Sequence, residues 1–366
     1  MTFPFTPFVE TLPSTVPFVG PEALERRTGT MFRARIGANE SVFGPSPKAI
    51  AAMQAAAAEV WQYCDPENHE IRAALAAHLG VGPENVMVGE GIDGLFGLAV
   101  RLFVEPGVTV ATSLGAYPTF NFHVNGFGGR LVTTPYVKDS EDPASLLDLA
   151  GREKARLIYF ANPDNPMGGW WEAAEVQRMI ARLPDGALLM LDEAYGEFAP
   201  EGTLPPLDVE NLSVLRFRTF SKAYGMAGMR LGYCVGHKDL IRAFDKIRNH
   251  FGVTRMGQAA GIAALSDQAH LERVVAQVAA ARDEIAAIAR ANGLTPLPSA
   301  TNFVAVDCGR DGDYARRVLD ALVAAGVFVR MPGVAPLNRC IRITAGTEED
   351  LHILAEELPK ALKAAG

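Results

Sequence analysis

Short apolar runs rich in branched residues alternate with helix-patterned segments through the first two-thirds of this chain. PKAIAAMQAAAAEV reads as a helix with proline in its first turn, and EIRAALAAHLG as a helix closed by Gly80. ENVMVG is a short strand, followed at once by a helix over GIDGLFGLAVRLF. VTVATS, RLIYFA and ALLMLD are further strands, with the helix WEAAEVQRMIARL between the last two. VLRFRTFS and RLGYCVG are strand-like again. Near-continuous apolar runs mark strands buried on both faces. Their alternation with helices predicts an α/β fold, a mainly parallel sheet with helices on both faces.

The pattern changes after about residue 254. A long Ala-rich helical stretch over 258–291 comes first. The strand NFVAVDC, the helix DYARRVLDALVAAG, the strands VFVRM and CIRIT and the terminal helix TEEDLHILAEELPKALKAA follow. This predicts a smaller α+β domain. The opening stretch, rich in Pro, Phe and Thr and poor in periodicity, reads as an arm lying on something else. We expect a large domain at 40–265, a small C-terminal domain at 266–366, and an arm at 1–39 that joins the small domain. A length of 366 residues accommodates this division.

With 49% hydrophobic residues, disorder as the main state is excluded. Thirty-four basic against 42 acidic side chains leave a charge of −8, which argues against nucleic-acid and anionic-membrane partners. The start MTFPFTPFVE has no basic segment before an apolar run, and no stretch is long enough to span a bilayer. Cys64, Cys234, Cys308 and Cys340 lie far apart with no CxxC, so we expect reduced thiols, no structural metal and a cytoplasmic protein.

Four segments carry chemistry. GEGIDG (89–94) follows a strand and opens a helix, which suits a phosphate held by backbone N–H groups. It has the letters of a dinucleotide fingerprint. The acid such a site needs about 20 residues on, after the next strand, is missing, so the dinucleotide reading fails. DEAY (192–195) puts Asp192 at the carboxyl end of a buried strand, where open α/β sheets bind ligands. NPDNPMG (162–168) is a two-proline turn offering the Asn165 amide. In TFSKAYGMAGMRLGY (219–233), Lys222 follows a strand among glycines and methionines with no acid nearby, in a chain with only eight lysines. An amine so placed loses its proton more easily, as a Schiff-base lysine must. Thr219, Ser221 and Arg230 suit a phosphate, and Tyr117 in LGAYPTF suits stacking on a flat ring. An amine, a carboxylate for a ring nitrogen, a stacking aromatic, donors for a ring hydroxyl and a phosphate cup are together what pyridoxal 5′-phosphate requires.

From GANESVFGPSPKAI to CIRITAGTEED the sequence resembles the fold-type I pyridoxal-phosphate aminotransferases, most of all the histidinol-phosphate aminotransferase branch and its aromatic relatives. The resemblance implies that Lys222 forms the Schiff base with the cofactor and serves as general base for the 1,3-proton shift. Asp192 would keep the pyridine nitrogen protonated. Tyr195 and Asn165 would bind the ring hydroxyl, and Tyr117 would stack on the ring. Thr219, Ser221, Arg230 and the amides near Glu90 and Gly91 would hold the phosphate. Tyr63 in WQYCDPE would reach the neighbouring site of a homodimer. Arg342, with Arg330 as a second cation, would bind the substrate anion. The partners implied are an amino donor and a 2-oxo acid acceptor.

This chain departs from the family pattern where substrate enters. Asp164 and Met167 stand where the family has Asn and Thr, and a Trp170–Trp171 pair follows. Histidinol phosphate, an aromatic amino acid or another amino acid as donor all stay open, as does a lyase or decarboxylase using the same cofactor.

Overall fold

The computed structural model describes residues 4–14 and 18–366; residues 1–3 and 15–17 of the expected arm lie outside them. Its centre is a seven-stranded sheet. The first strand of the chain, β1 (Ala34–Arg35), lies outside it. The sheet comprises β2 (Val86–Glu90), β3 (Thr109–Ser113), β4 (Arg130–Thr134), β5 (Leu157–Ala161), β6 (Leu188–Asp192), β7 (Val214–Thr219) and β8 (Leu231–Gly236). Their spatial order is β2-β8-β7-β6-β5-β3-β4. β8 runs antiparallel to both neighbours and the other pairings are parallel.

Register then decides what shares an edge. Ala161 pairs with Asp192, Asp192 with Phe217, and Thr219 and Gly89 each with Gly232. The carboxyl ends of β2, β3, β5, β6 and β7 therefore meet the start of β8 along one rim. β3, β5 and β6 are buried at every residue, which explains their unbroken apolar sequences.

Helices cover both faces. Pro47–Ala57 begins with Pro at its first position, and Ser46 Oγ accepts from Ala49 N–H. His69–Leu79 ends at Gly80, in the left-handed region at φ 71°. Helix Gly91–Phe103 starts where β2 stops. The sequence reading missed β4 and the helices Pro118–Gly126, Pro143–Arg152 and Lys238–Phe244. The opening stretch, read as lacking periodicity, holds two short helices, Pro7–Glu10 and Pro21–Thr28.

The C-terminal third builds a second layer. β9 (Thr295–Pro296), β10 (Phe303–Asp307) and β12 (Cys340–Thr344) form an antiparallel sheet. β11 (Val327–Phe328) pairs in parallel with β1, so residues 34–35 are stitched to this layer. The strand expected over VFVRM is thus shorter: its pairing with β1 ends at Phe328, and Arg330 makes only an isolated bridge to Arg342. One apolar cluster joins Ala34 and Ile36 to helices Gln268–Ala291, Gly312–Ala324 and Glu348–Ala365. The helical stretch expected over 258–291 is two helices, Arg255–Leu265 and Gln268–Ala291. Ser266 and Asp267 interrupt it, and polar side chains of this kind favour helix ends over interiors. Among the described residues no helix is long and apolar enough to cross a membrane. All four cysteines are free and buried.

Candidate functional site

A cavity of about 620 Å³ opens at the rim where the parallel strands end, between the sheet and the C-terminal layer. Lys222, Asp192, Tyr195, Asn165, Tyr117, Arg330 and Arg342 all line it. Residues separated by up to 225 positions in sequence are thereby brought together.

Lys222 sits in the turn after β7, and its ammonium donates to Asn39 O at 3.1 Å. Burial, and after it the Arg342 charge, lower its pKa to about 8. The amine is thus half neutral near pH 8, well below the pH an exposed lysine needs. Asp192 ends β6. Its Oδ2 accepts from Tyr159 O–H at 2.5 Å and its Oδ1 from Ala194 N–H at 2.9 Å. Burial raises it to about 6. Next to it, Glu193 is fully buried and gripped by Arg216 Nη2 at 2.5 Å and Arg218 Nε at 2.9 Å, fixing the end of the strand.

The Tyr195 phenol oxygen accepts from Asn39 Nδ2 at 2.9 Å and from Asn165 Nδ2 at 3.3 Å. Burial pushes its phenol well up. Arg342 donates to Asn165 Oδ1 and lies over the Phe303 ring at 5.0 Å. Burial lowers its guanidinium to about 10. Arg330 stands beside it, the two residues exchanging backbone N–H···O bonds of 3.2 and 2.6 Å. Arg330 also lies over the Phe18 ring at 5.1 Å and donates to Val19 O at 2.8 Å. Among the described residues neither arginine is in an ion pair, and the Nε of each is buried and unpaired. Two guanidiniums outside any ion pair leave donors that can take an anion. Tyr117 stands opposite, 6.2 Å from Phe18 and 6.3 Å from Phe96, its phenol pushed up to about 12 by burial.

Glu90, Arg230 and Tyr63 line an adjoining cavity of about 670 Å³ instead. Ile92 faces the first cavity and Glu90 the second, so the turn at Gly91 separates them. Gly91 has φ +74°, and a Cβ there would come within 2.4 Å of Arg230 Nη2. Behind this turn Thr219 Oγ1 donates to Ser221 Oγ at 3.0 Å, and both side chains are buried. Tyr63 is 80% exposed and 4.8 Å from the Phe251 ring.

The sequence reading missed Asn39 and Tyr159, and placed N-terminal phenylalanines on the pocket wall without singling out Phe18. Asn39 has a left-handed backbone at φ 55° and ties Lys222, Tyr195, Asn302 and Thr344 together. An asparagine in GANES gave a turn signal and no more. Tyr159 lies inside an apolar run and carries no outward sign.

A family profile described as aminotransferase class I and II matches residues 35–358. This chain belongs to that family. Among its aminotransferase relatives, the histidinol-phosphate aminotransferase of Anaeromyxobacter sp. (strain Fw109-5) is 38% identical over 94% of this chain and 95% of its own. The crystal structure of histidinol-phosphate aminotransferase from Sinorhizobium meliloti, in complex with pyridoxal-5′-phosphate, superposes with a TM-score of 0.97. It is 54% identical and covers 100% of this chain and 99% of its own. Aspartate aminotransferase from Thermus thermophilus with maleate shares the fold, with a TM-score of 0.82 at 21% identity over 99% and 100% of the two chains. The aminotransferase cavity described above fits pyridoxal phosphate. It offers an amine of lowered basicity and a buried carboxylate, and across the Gly91 turn the adjoining cavity adds Arg230 next to a helix start, which a Cβ at residue 91 would crowd.

Proposed function

We propose that this chain transfers the amino group of histidinol phosphate to 2-oxoglutarate with pyridoxal 5′-phosphate as cofactor. The observation that carries this is the Arg330–Arg342 pair, two guanidiniums without carboxylate partners in the cavity that holds Lys222. A site of this kind accepts the phosphate of one substrate and the carboxylate of the other. The 54% identical Sinorhizobium meliloti protein supports the same reading.

When bound, pyridoxal phosphate supplies an aldehyde that condenses with amines and a ring that accepts the electron pair left on a deprotonated carbon. Lys222 would hold the cofactor through Nζ and, as general base, would move the proton from the donor Cα to cofactor C4′. Asp192 would keep a proton on the ring nitrogen. Tyr195 and Asn165 would bind the ring hydroxyl, and Tyr117 would stack on the ring. Thr219, Ser221, Arg230 and the amides at Glu90 and Gly91 hold the phosphate. Arg342 and Arg330 hold the donor anion.

The domain division at 1–39, 40–265 and 266–366 is part of this proposal. It is supported by the interruption at Ser266–Asp267 and by the apolar cluster that joins Ala34 and Ile36 to the C-terminal helices. A homodimer is proposed on the patch formed by Val60, Trp61, Tyr63 and Phe251, all at least 50% exposed and next to the Glu90–Arg230 cavity. Four buried free thiols support a cytoplasmic setting.

The decisive experiment is a half-reaction. Donors are mixed one at a time with the holoenzyme, without acceptor, and the absorbance of bound cofactor is followed. Bleaching by histidinol phosphate far above other donors is expected. Phe18 and Tyr117 on the cavity wall favour an aromatic amino acid as the second reading, and bleaching by aromatic donors alone would select it. A holoenzyme that no donor bleaches would point to a lyase or decarboxylase.

A further inference from the structure

Behind Asn165 the chain buries two carboxyls that the proposed reaction does not use. Glu141 is 1% exposed and Asp164 is 3% exposed. Asp164 is served on both oxygens: Tyr136 O–H donates to Oδ1 at 2.8 Å and Met167 N–H to Oδ2 at 3.1 Å. Glu141 is served on one. Its Oε1 accepts from Ala161 N–H at 3.1 Å, while Oε2 is buried outside any well-formed hydrogen bond, with the Ser113 hydroxyl beside the carboxyl. The two carboxyls are in contact with each other. Facing them are Tyr136, Tyr159, Asp192 and Ser113, and, across Asn165, the Arg342 guanidinium. Two touching carboxylates sealed from water cannot both be charged, so one proton lies between them. Since Asp164 already has its donors, Oε2 of Glu141 is where the proton belongs. Burial, and after it the Asp164 charge, push Glu141 well above the usual carboxylate range.

The pair sits at the root of the loop that carries Asn165. Asp164 N–H donates to Gly169 O at 2.8 Å, and Gly168 N–H returns to Asp164 O at 3.1 Å. Trp171 closes the far side: its Nε1–H donates to Glu141 O at 2.8 Å and its N–H to Asn162 Oδ1 at 2.8 Å. Asn165, next in the chain, binds both Arg342 and Tyr195.

We propose that Glu141 is a protonated positioning residue, whose Oε2–H donates to Asp164 and so holds the Asn165 loop and the Arg342 anion site in register. The step from loop to donor binding rests on the aminotransferase reading; the proton itself does not. Above the pH at which Glu141 ionises, two adjacent buried charges repel, the loop shifts, and the anion site loses its alignment.

The test uses the holoenzyme and the variant Glu141→Gln, whose amide still donates to Asp164 but cannot titrate. Infrared difference spectra of wild type against Glu141→Gln should show the carbonyl band of a neutral carboxylic acid in wild type only. The donor KM of wild type should rise about tenfold per pH unit on the alkaline side. In Glu141→Gln that rise should vanish with kcat retained. A band unchanged in Glu141→Gln, or an alkaline KM rise that persists in it, would overturn the proposal. If that variant fails to fold, Asp164→Asn serves the infrared arm, because an amide donor at 164 lets Glu141 ionise and the band should again be lost. A protein showing the band but turning over no donor would support the shared proton and sink the aminotransferase reading instead.

Discussion

At the scale of single residues, Lys222 is poised by its surroundings before any ligand arrives. Its pKa of about 8 follows from burial and from Arg342 in the same cavity. The neutral amine is the nucleophile, so capture of pyridoxal phosphate by the cofactor-free chain should accelerate about tenfold per pH unit and level off above about pH 8. Stopped-flow absorbance at fixed cofactor concentration measures this. Lys222→Ala should still bind the cofactor without a covalent link and show negligible turnover. Arg342→Ala should raise the donor KM about 100-fold, the equivalent of about 3 kcal/mol for lost hydrogen bonds to a charged group, with a smaller effect on kcat. Lys222 and Asp192 were legible in the sequence because each stands at the end of an apolar strand, in a context that a surface lysine or aspartate lacks. Asn39 was not. Its meaning lies in partners 183 residues away at Lys222 and 305 away at Thr344, which no local pattern encodes.

At the scale of elements, two glycines set how closely the loops of the site approach one another. Gly225, three residues after Lys222, has φ +67°, and a Cβ there would come within 2.4 Å of the Gly44 carbonyl carbon and oxygen. At Gly91 the obstacle is the tip of the Arg230 side chain. A side-chain tip can swing aside and a backbone cannot. Gly225→Ala should therefore cost about 2–4 kcal/mol, and Gly91→Ala about 1–2 kcal/mol, most of it from the left-handed backbone. Denaturant melts of the two holoenzymes compare them. Gly91→Ala should in addition loosen the cofactor, since it displaces Arg230. Elements of the central sheet were readable wherever burial on both faces made the run continuous, as in β5 and β6. β4 was missed because this edge strand is half-exposed and its RLVTT is too short and polar to stand out. The break between helices at Ser266–Asp267 was hidden by the alanines on either side, whose helical preference outweighs two polar residues in any averaged reading.

At the scale of the molecule, buried acids shape the response to pH. Glu197, held up to about 7 by burial, Asp192 at about 6, and Glu141 and Asp164 all bind protons more tightly folded than unfolded. Their stabilising contribution is complete below the unfolded values near 4 and is lost as pH rises through 6 to 7. Lys222 acts in the opposite sense, adding stability as pH rises from about 8 toward 10.5. The melting temperature of the cofactor-free chain should accordingly fall between about pH 4 and 7, with Lys222 opposing any further fall above about pH 8. Calorimetry across that range decides it, and a melting temperature that climbs steadily to pH 8 would contradict the assignment of these acids. The exposed lowered carboxylates, such as Glu22, are screened by water and weigh little against them.

Asn39 also carries a lesson about the order in which this protein comes into being. Its backbone carbonyl receives Lys222 and Asn302, its side chain reaches Tyr195, and its amide is held by Thr344. A chain emerging from the ribosome presents Asn39 early and Lys222 well past the middle, yet the knot closes only when Thr344 has been made. Cofactor capture in its native form is thus a certificate of completed synthesis. A chain truncated before β12 lacks Thr344 and has no means of gathering these five residues into one place.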